Sequence, residues 1–252
     1  MSITIITPTF NAEKDIDQLI FSLENQTNKN FKWLVYDGCS TDNTLEKLKT
    51  VKLNVKIVRE PDFGIFDALN KSIKKIDTTH YIFCGADDFL DSEAIDIYTH
   101  SIINFPESDI ITAPVLIDGV ITSKRNTPLI IGFQMTIISA HAVGCCIKKE
   151  LHNKLGYYDK KYWACADASF IMNAYLSNAK FIYLNKCVGT YSTSGESVKY
   201  SVSAMCGIFR IQTEELGWNL PLCLLILNLK LIKFWIKKNI NFIKNNTNKN
   251  LL

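Results

Sequence analysis

Short apolar runs alternate with amphipathic stretches along the first half of the chain. The runs Ile3–Thr9, Phe31–Tyr36, Val55–Val58, Tyr81–Cys84 and Ile110–Ile117 have the length and the β-branched and aromatic content of strands. Between them, Glu13–Asn25, Thr44–Leu48, Ile65–Ile76 and Ser92–Asn104 space their apolar residues as helices do. In the third, Ile65, Ala68, Leu69, Ser72, Ile73 and Ile76 follow one helical face. Strand–helix–strand alternation with short links predicts an α/β fold, a mostly parallel sheet covered by helices on both faces. Chemistry in such sheets gathers at the carboxyl ends of the strands. In "VLIDGVITSKR" the Asp118-Gly119 pair between apolar runs predicts a hairpin. From Cys145 the pattern reads as mostly helical, interrupted by "KFIYLNKCVGTYS".

The last segment differs in composition. From Lys230 onward there are six lysines and no acid. Lys230, Lys233, Lys237 and Lys244 share a helical face, with Ile232, Trp235, Ile236, Ile240 and Ile243 mainly elsewhere around the helix. The chain therefore divides into an α/β unit over 1–216 and a helical tail over 217–252. A helix with one lysine-rich face and a broad apolar face suits the interface of an anionic membrane; packing on its own domain is the plainer alternative.

Bulk numbers narrow the class. The 252 residues are 47% apolar and 21% charged, ordinary values for a globular chain. A net charge of +3 carries no signature of nucleic-acid binding, so none is expected as a partner. The eight cysteines include no C-x-x-C pair, and several lie inside apolar runs. They read as buried free thiols in a reducing cytosol. "MSITIITPTF" lacks a basic signal-peptide start, and no apolar run reaches the roughly 18 residues of a spanning helix. The expectation is a soluble or peripheral protein.

Three acidic spots close the predicted strands. Asp37 follows the second, Asp62 and Asp67 lie beside the third, and Asp87 and Asp88 follow the fourth, with Asp91 three residues on. In a parallel sheet these ends share one edge, so carboxylates from separate strands converge. Such a cleft suits a divalent cation that completes its shell with phosphate oxygens. The competing reading makes Asp87-Asp88 the cap of the next helix. Asp37 alone, in D-G-x-S, reads as a turn residue, although a carboxylate there also suits the N3–H of uracil or the N1–H of guanine.

"TPTFN" (Thr7–Asn11), "DGCSTDNT" (Asp37–Thr44), "EPDFGIFDALNKSI" (Glu60–Ile73) and "GADD" (Gly85–Asp88), in this order and spacing, resemble the family 2 glycosyltransferases of the GT-A fold. Bacterial enzymes that build surface polysaccharides are the nearest in pattern. The resemblance continues through "GYYDKKYWACADASFIMNAYL" and covers roughly residues 2 to 195. It implies a Rossmann-like catalytic domain that binds a nucleotide-sugar donor. Thr7, Pro8 and Asp37 match positions lining the base, and Asp67 one contacting the nucleoside. Asp87 matches a ribose contact and Asp88 the ligand of a divalent cation, Mn²⁺ or Mg²⁺. Asp167 matches the general base, His141 a residue near the acceptor, and Ser194-Gly195-Glu196-Ser197 a late loop near the diphosphate. Ala168-Ser169 after Asp167, and the missing Gln after His141, depart from the pattern on the acceptor side.

The implied reaction inverts the anomeric centre. Asp167 takes the proton of an acceptor hydroxyl while the cation stabilises the leaving nucleoside diphosphate. UDP is the family's commonest donor handle; thymidine and guanosine donors stay open. The acceptor implied is a saccharide or lipid-linked saccharide, which places the enzyme in the cytoplasm, peripheral on the inner face of the membrane. Asp167, between two alanines at a helix start, reads on its own as a helix cap, and it is the resemblance that favours the base. A catalytically degenerate nucleotide-sugar binder or scaffold is the alternative to the enzyme. A nucleotidyltransferase fits poorly, because "TPTFNAEKD" has neither Gly nor Arg to hold a triphosphate.

Overall fold

The computed structural model describes residues 3–193 and 200–249. Seven strands form the main sheet: β1 (Ile3–Thr9), β2 (Phe31–Asp37), β3 (Val55–Arg59), β4 (His80–Phe83), β6 (Ile110–Thr112), β9 (Cys145–Lys148) and β10 (Phe181–Tyr183). Their spatial order is β10-β6-β9-β4-β1-β2-β3. All neighbouring pairs are parallel except the two made by β9. A smaller sheet joins β5 (Phe89–Leu90), β11 (Gly189–Thr190), β7 (Leu116–Ile117) and β8 (Val120–Ile121) in the order β5-β11-β7-β8.

The apolar runs are continuous because the sheet is buried on both faces. Adjacent residues of each strand go to opposite sides: Ile6, Leu34, Tyr81, Ile110 and Cys145 to one core, and Ile5, Val35, Ile82, Ile111 and Cys146 to the other. Helices α1 (Ile16–Glu24), α2 (Thr44–Lys49) and α4 (Ala94–Asn104) contribute Leu19, Leu48 and Tyr98 to the second core. Helices α3 (Ile65–Lys75), α6 (Leu151–Leu155) and α7 (Ala166–Leu176) contribute Leu69, Leu151 and Phe170 to the first. The short turn α5 (Leu129–Gly132) precedes a 3₁₀ turn, Phe133–Thr136.

Three expectations need correction. The run Ile110–Ile117 is two strands in different sheets. Pro114 has no N–H to give a ladder, and the chain crosses between sheets there, Ala113 bonding Gly144 O and Val115 bonding the Thr122 hydroxyl. The segment from Cys145 opens with a strand that sits in mid-sheet between β4 and β6, where helix was expected. Three apolar residues followed by Lys148 are too few for periodicity to separate the two states. Helix α1 begins at Ile16, three residues later than its pattern suggests, with the Ala12 carbonyl accepting from Asp15 and Ile16. The hairpin forms as expected: Asp118 (φ 49°) and Gly119 (φ 78°) are both left-handed, as a two-residue primed turn needs.

After β11 come the helix Ser201–Arg210, a wider turn over Ile211–Glu215, and a long helix, Leu220–Lys249. The start of the tail packs on the α/β body. Trp218 meets the edge of Phe133 with centroids 6.2 Å apart, and Cys223 is fully buried. Among the described residues no helix is long and apolar enough to cross a membrane.

Candidate active site

The parallel strands β1 to β4 bring their carboxyl ends to one edge, where Thr9, Asp37 and Arg59 stand in register. Asp37 is fully buried. Its carboxylate accepts from Ser40 N at 2.9 Å, from the Ser40 hydroxyl and from Thr9 Oγ1 at 3.2 Å, and Arg59 Nε lies 3.8 Å away. It therefore closes the turn that D-G-x-S suggested. Gly38 beside it leaves room for the Asp62 carboxylate, which a Cβ there would meet at 2.5 Å and displace. Thr7 is also fully buried, its hydroxyl taking the Trp33 indole N–H at 3.0 Å. Pro8 is the half-buried member of the pair.

Asp67 sits in the first turn of α3, 3% exposed. Lys71 approaches one oxygen at 2.8 Å, Lys160 the other at 2.5 Å, and Phe63 N donates at 3.0 Å. Burial works to raise its pKa, but the bonds from Lys160, Lys71 and Phe63 N outweigh it and hold the carboxyl down to about 2. Lys160 belongs to the segment leading into α7, so this ion pair ties the start of α3 to that segment.

Neither Asp87 nor Asp88 caps a helix. Strand β5 follows directly, and α4 starts only at Ala94. Asp88 is 2% exposed; Gly85 N donates to one oxygen at 2.8 Å and Ser192 N to the other at 3.0 Å. Burial, reinforced by the Asp87 charge, pushes the Asp88 carboxyl up to about 7. Burial also raises Asp87, which the Ser192 hydroxyl partly offsets. Gly85 leaves the room, since a Cβ there would lie 2.9 Å from Asp87 Oδ1 and 3.0 Å from Asp88 Oδ2. Asp91 is half-buried, its carbonyl taking the Gln26 amide at 2.8 Å.

Among the described residues no three His, Cys, Asp or Glu side chains gather into a metal cage. The pair nevertheless fits a hard cation of the phosphate-binding kind. It offers only oxygen donors from one or two carboxylates, and the Asp87 charge helps to raise the Asp88 carboxyl, a repulsion a divalent ion would relieve.

Across the cleft, Asp167 lies in the first turn of α7, whose N-cap is Cys165. Its carboxylate turns to His141, Oδ2 to Nδ1 at 3.6 Å, rather than capping the helix. Tyr191 packs edge-on against His141, centroids 4.9 Å apart. His141, Tyr191, Arg125, Gln134, Met135 and Ala140 line a cavity of about 260 Å³. A second cavity, about 270 Å³, opens beyond Cys165 between the Lys161–Ala164 loop and the helix Ser201–Arg210. Its rim carries Trp163, 52% exposed and edge-to-face with Tyr200 at 4.8 Å.

The model of the family described as Glycosyl transferase family 2 matches residues 4–175. The chain belongs to that family. The match spans both sides of the cleft, from β1 through α7. A PGL/p-HBAD biosynthesis glycosyltransferase of Mycobacterium bovis is 34% identical over 91 residues, 34% of this chain and 36% of that protein. The poly(ribitol-phosphate) beta-N-acetylglucosaminyltransferase TarS of Staphylococcus aureus is 32% identical over 101 residues, 38% of this chain and 18% of that one. The chain thus spans about a third or less of these relatives. Its GT-A fold is that of S. aureus TarS 1-349 in complex with UDP-GlcNAc, with a TM-score of 0.68 at 23% identity over 90% of this chain and 70% of that one. A mannosyltransferase from Pyrobaculum calidifontis in complex with GDP-Man and Mn²⁺ superposes with a TM-score of 0.66 at 15% identity, over 86% and 64% of the two chains.

Within this family 2 fold, Asp37 ends β2, Asp62 lies between β3 and α3, Asp67 sits in the first turn of α3, Asp87 and Asp88 follow β4, and Asp167 faces His141. The loop Ser194-Gly195-Glu196-Ser197 lies outside the described residues. Sequence reading missed Ser192, whose N–H and hydroxyl hold Asp88 and Asp87, and Tyr191, which packs edge-on against His141. It missed Lys160 as well. All three fall within the segments "KFIYLNKCVGTYS" and "GYYDKKYWACADASF", but nothing local marks them as partners of residues about fifty to about a hundred positions away.

Proposed function

We propose that this chain is an inverting, metal-dependent glycosyltransferase. It transfers a sugar from a nucleoside diphosphate, UDP foremost, to a hydroxyl of a saccharide or lipid-linked saccharide in bacterial surface-polysaccharide synthesis. The observation that carries the reading is the arrangement of two kinds of carboxylate around one cleft: the buried pair Asp87-Asp88, and Asp167 facing His141. Asp88, with Asp87 beside it, would hold a Mn²⁺ or Mg²⁺ ion that neutralises charge on the departing diphosphate. Asp37 and Pro8 border the base, Thr7 supports that strand from within the core, and Asp67 lies toward the nucleoside. Asp167 accepts the proton of the attacking hydroxyl, and His141 fixes which of its oxygens faces the cleft. The acceptor enters over the second cavity, where the exposed Trp163 offers a ring face to a sugar.

The unit over 1–216 is the catalytic domain, and 217–252 is the tail that meets the membrane. On the long helix, Leu222, Leu225, Leu229, Ile232, Ile236 and Ile240 recur at intervals of three and four and are all exposed, from 42% to 58%. Lys233, Lys237 and Lys238 are exposed on the same helix, while Lys230 turns inward, where burial and then Arg125 lower its pKa. With no acid in the segment, a second copy would set lysine against lysine, whereas anionic lipid meets both the charge and the apolar stripe. The protein is then cytoplasmic and peripheral on the inner face of the membrane.

Calorimetric titration with UDP, with and without Mn²⁺, tests the donor site. Metal-dependent binding is expected; binding of no uridine, guanosine or thymidine diphosphate under either condition overturns it. Turnover with a supplied donor separates the enzyme from a binding scaffold. Sedimentation with vesicles containing anionic lipid tests the tail: deletion of Lys230–Leu252 should abolish co-sedimentation, and unchanged binding would refute that part.

A further inference from the structure

Buried polar atoms without a partner are uncommon in native proteins, and each calls for an explanation. Among the described residues, two side-chain atoms are in that state, His80 Nε2 and Gln134 Oε1. His80 opens β4, at the end of the sheet away from the cleft. Gln134 lines the cavity of about 260 Å³ together with His141, Tyr191 and Arg125.

The position of that cavity is what gives the orphan oxygen meaning. Through His141 it reaches Asp167, 3.6 Å away. Through Tyr191 it reaches Ser192, whose backbone N–H holds Asp88. The cavity thus shares one wall with the partner of the carboxylate proposed as base and another with the chain neighbour of the residue that holds Asp88. In a transfer that joins these two sites, the group that must sit between them is the sugar being moved. The 3₁₀ turn Phe133–Thr136 fixes the Gln134 backbone there, its carbonyl taking Ile137 N at 2.8 Å and Ile138 N at 2.9 Å. Its Oε1 is buried beside the cavity with no protein partner, and a turn of the side chain into the cavity would bring it to a sugar hydroxyl or acetamido N–H.

We propose that Gln134 is a specificity-determining residue that hydrogen-bonds a hydroxyl or amide of the transferred sugar. The inference rests on the donor-site reading above and adds to it the residue that reads the sugar. A site built to bond a polar group rejects analogues lacking it more strongly than an apolar pocket does.

The test compares the wild type with Gln134→Met and Gln134→Glu by calorimetry in Mn²⁺, titrating UDP, GDP and dTDP and then the glucose, galactose, N-acetylglucosamine and mannose conjugates of whichever diphosphate binds. In the wild type one nucleotide sugar should bind more tightly than its diphosphate. Gln134→Met should erase that advantage by roughly tenfold or more, with the affinity for the bare diphosphate unchanged. Gln134→Glu, which keeps an acceptor oxygen, should retain a larger share of it. Thermal stability of Gln134→Met should hold or rise, because it removes an unpartnered buried polar atom. A sugar advantage within twofold of wild type in Gln134→Met, or no advantage in any conjugate, overturns the proposal and leaves the donor site standing. Equal losses for diphosphate and conjugate also overturn it, as a mark of general disruption. If no diphosphate binds the wild type, the donor-site reading and this inference fall together.

Discussion

Replacing Asp88 with Asn should raise stability at alkaline pH while destroying the proposed metal site. Asp88 is 2% exposed, and its carboxyl is pushed up to about 7 from an ordinary 3.8. The sign follows from linkage. A carboxyl raised in the fold costs nothing while both states are protonated, and the fold loses stability as pH rises from 3.8 through about 7. Over that window the loss is roughly 4 kcal/mol, at about 1.4 kcal/mol for each tenfold change. Asparagine has no charge to bury, but it presents one acceptor where aspartate presents two. Either Gly85 N or Ser192 N then faces an NH₂ group, at about 1–3 kcal/mol. The net expectation in chelator at pH 8 is that Asp88→Asn is more stable by about 1–3 kcal/mol, a rise of several degrees in Tm for a chain of this size. Towards pH 5 the advantage should shrink by roughly 2–3 kcal/mol, to zero or below.

Urea unfolding of both proteins at pH 5 and pH 8 reads this difference, because every other titrating group is shared and cancels. Mn²⁺ with UDP at pH 8 should then stabilise the wild type and leave the variant unmoved. Equal destabilisation of the variant at both pH values would refute the reasoning. It would mean that Asp88 is already ionised and compensated by its two backbone bonds, a structural acid with no need of a cation.

Asp167→Asn should lower transfer by about 10²- to 10⁴-fold in initial-rate assays with UDP binding intact, as loss of a general base requires. Asp67→Asn should cost about 2 kcal/mol at pH 7, because a carboxyl held down to about 2 contributes stability above 3.8 that is lost as pH falls through 2; denaturant titration at pH 7 and pH 3 checks the convergence. His80 is 4% exposed, and burial, then Lys148, lowers it to about 4. A lowered histidine contributes stability above 6.5 that is lost as pH falls through 4, so His80→Leu should gain roughly 2–3 kcal/mol on the wild type between pH 7 and pH 4.5, read by the same unfolding assay.

Where a residue's role depends on its own strand or helix, the sequence carried it. The parallel order of β1 to β4 follows from the alternation of runs, and with it the gathering of Asp37 and Asp88 at one edge. The hairpin at Asp118-Gly119 was legible because both residues tolerate the left-handed backbone. Strand β9 was not, since its three apolar residues face the two cores in turn and show no alternation of apolar and polar positions. The turn role of Asp37 was visible in D-G-x-S, but its complete burial was not, because the Thr9 hydroxyl arrives from a neighbouring strand. Ser192 reaches Asp88 across a separation of 104 residues, and Lys160 reaches Asp67 from the segment leading into α7. Pairings at that range follow from the closed fold and leave no local spacing to read.

These long-range contacts also explain how the acidic pair is tolerated without making it comfortable. Ser192 and Gly85 give Asp88 two backbone donors, and a carboxylate so supplied would ordinarily sit low in pKa. Asp67, with two lysines and one backbone donor, does so, and it is bordered by cations at 2.5 and 2.8 Å. Asp88 is as buried, has no cation among its described partners, and is raised instead. The two acids therefore do different work in one cleft. Asp67 is neutralised by the protein and ties the start of α3 to the segment before α7, so its removal costs stability. Asp88 keeps an unmet demand for positive charge, so its removal should relieve the fold while costing whatever ion and diphosphate that demand recruits.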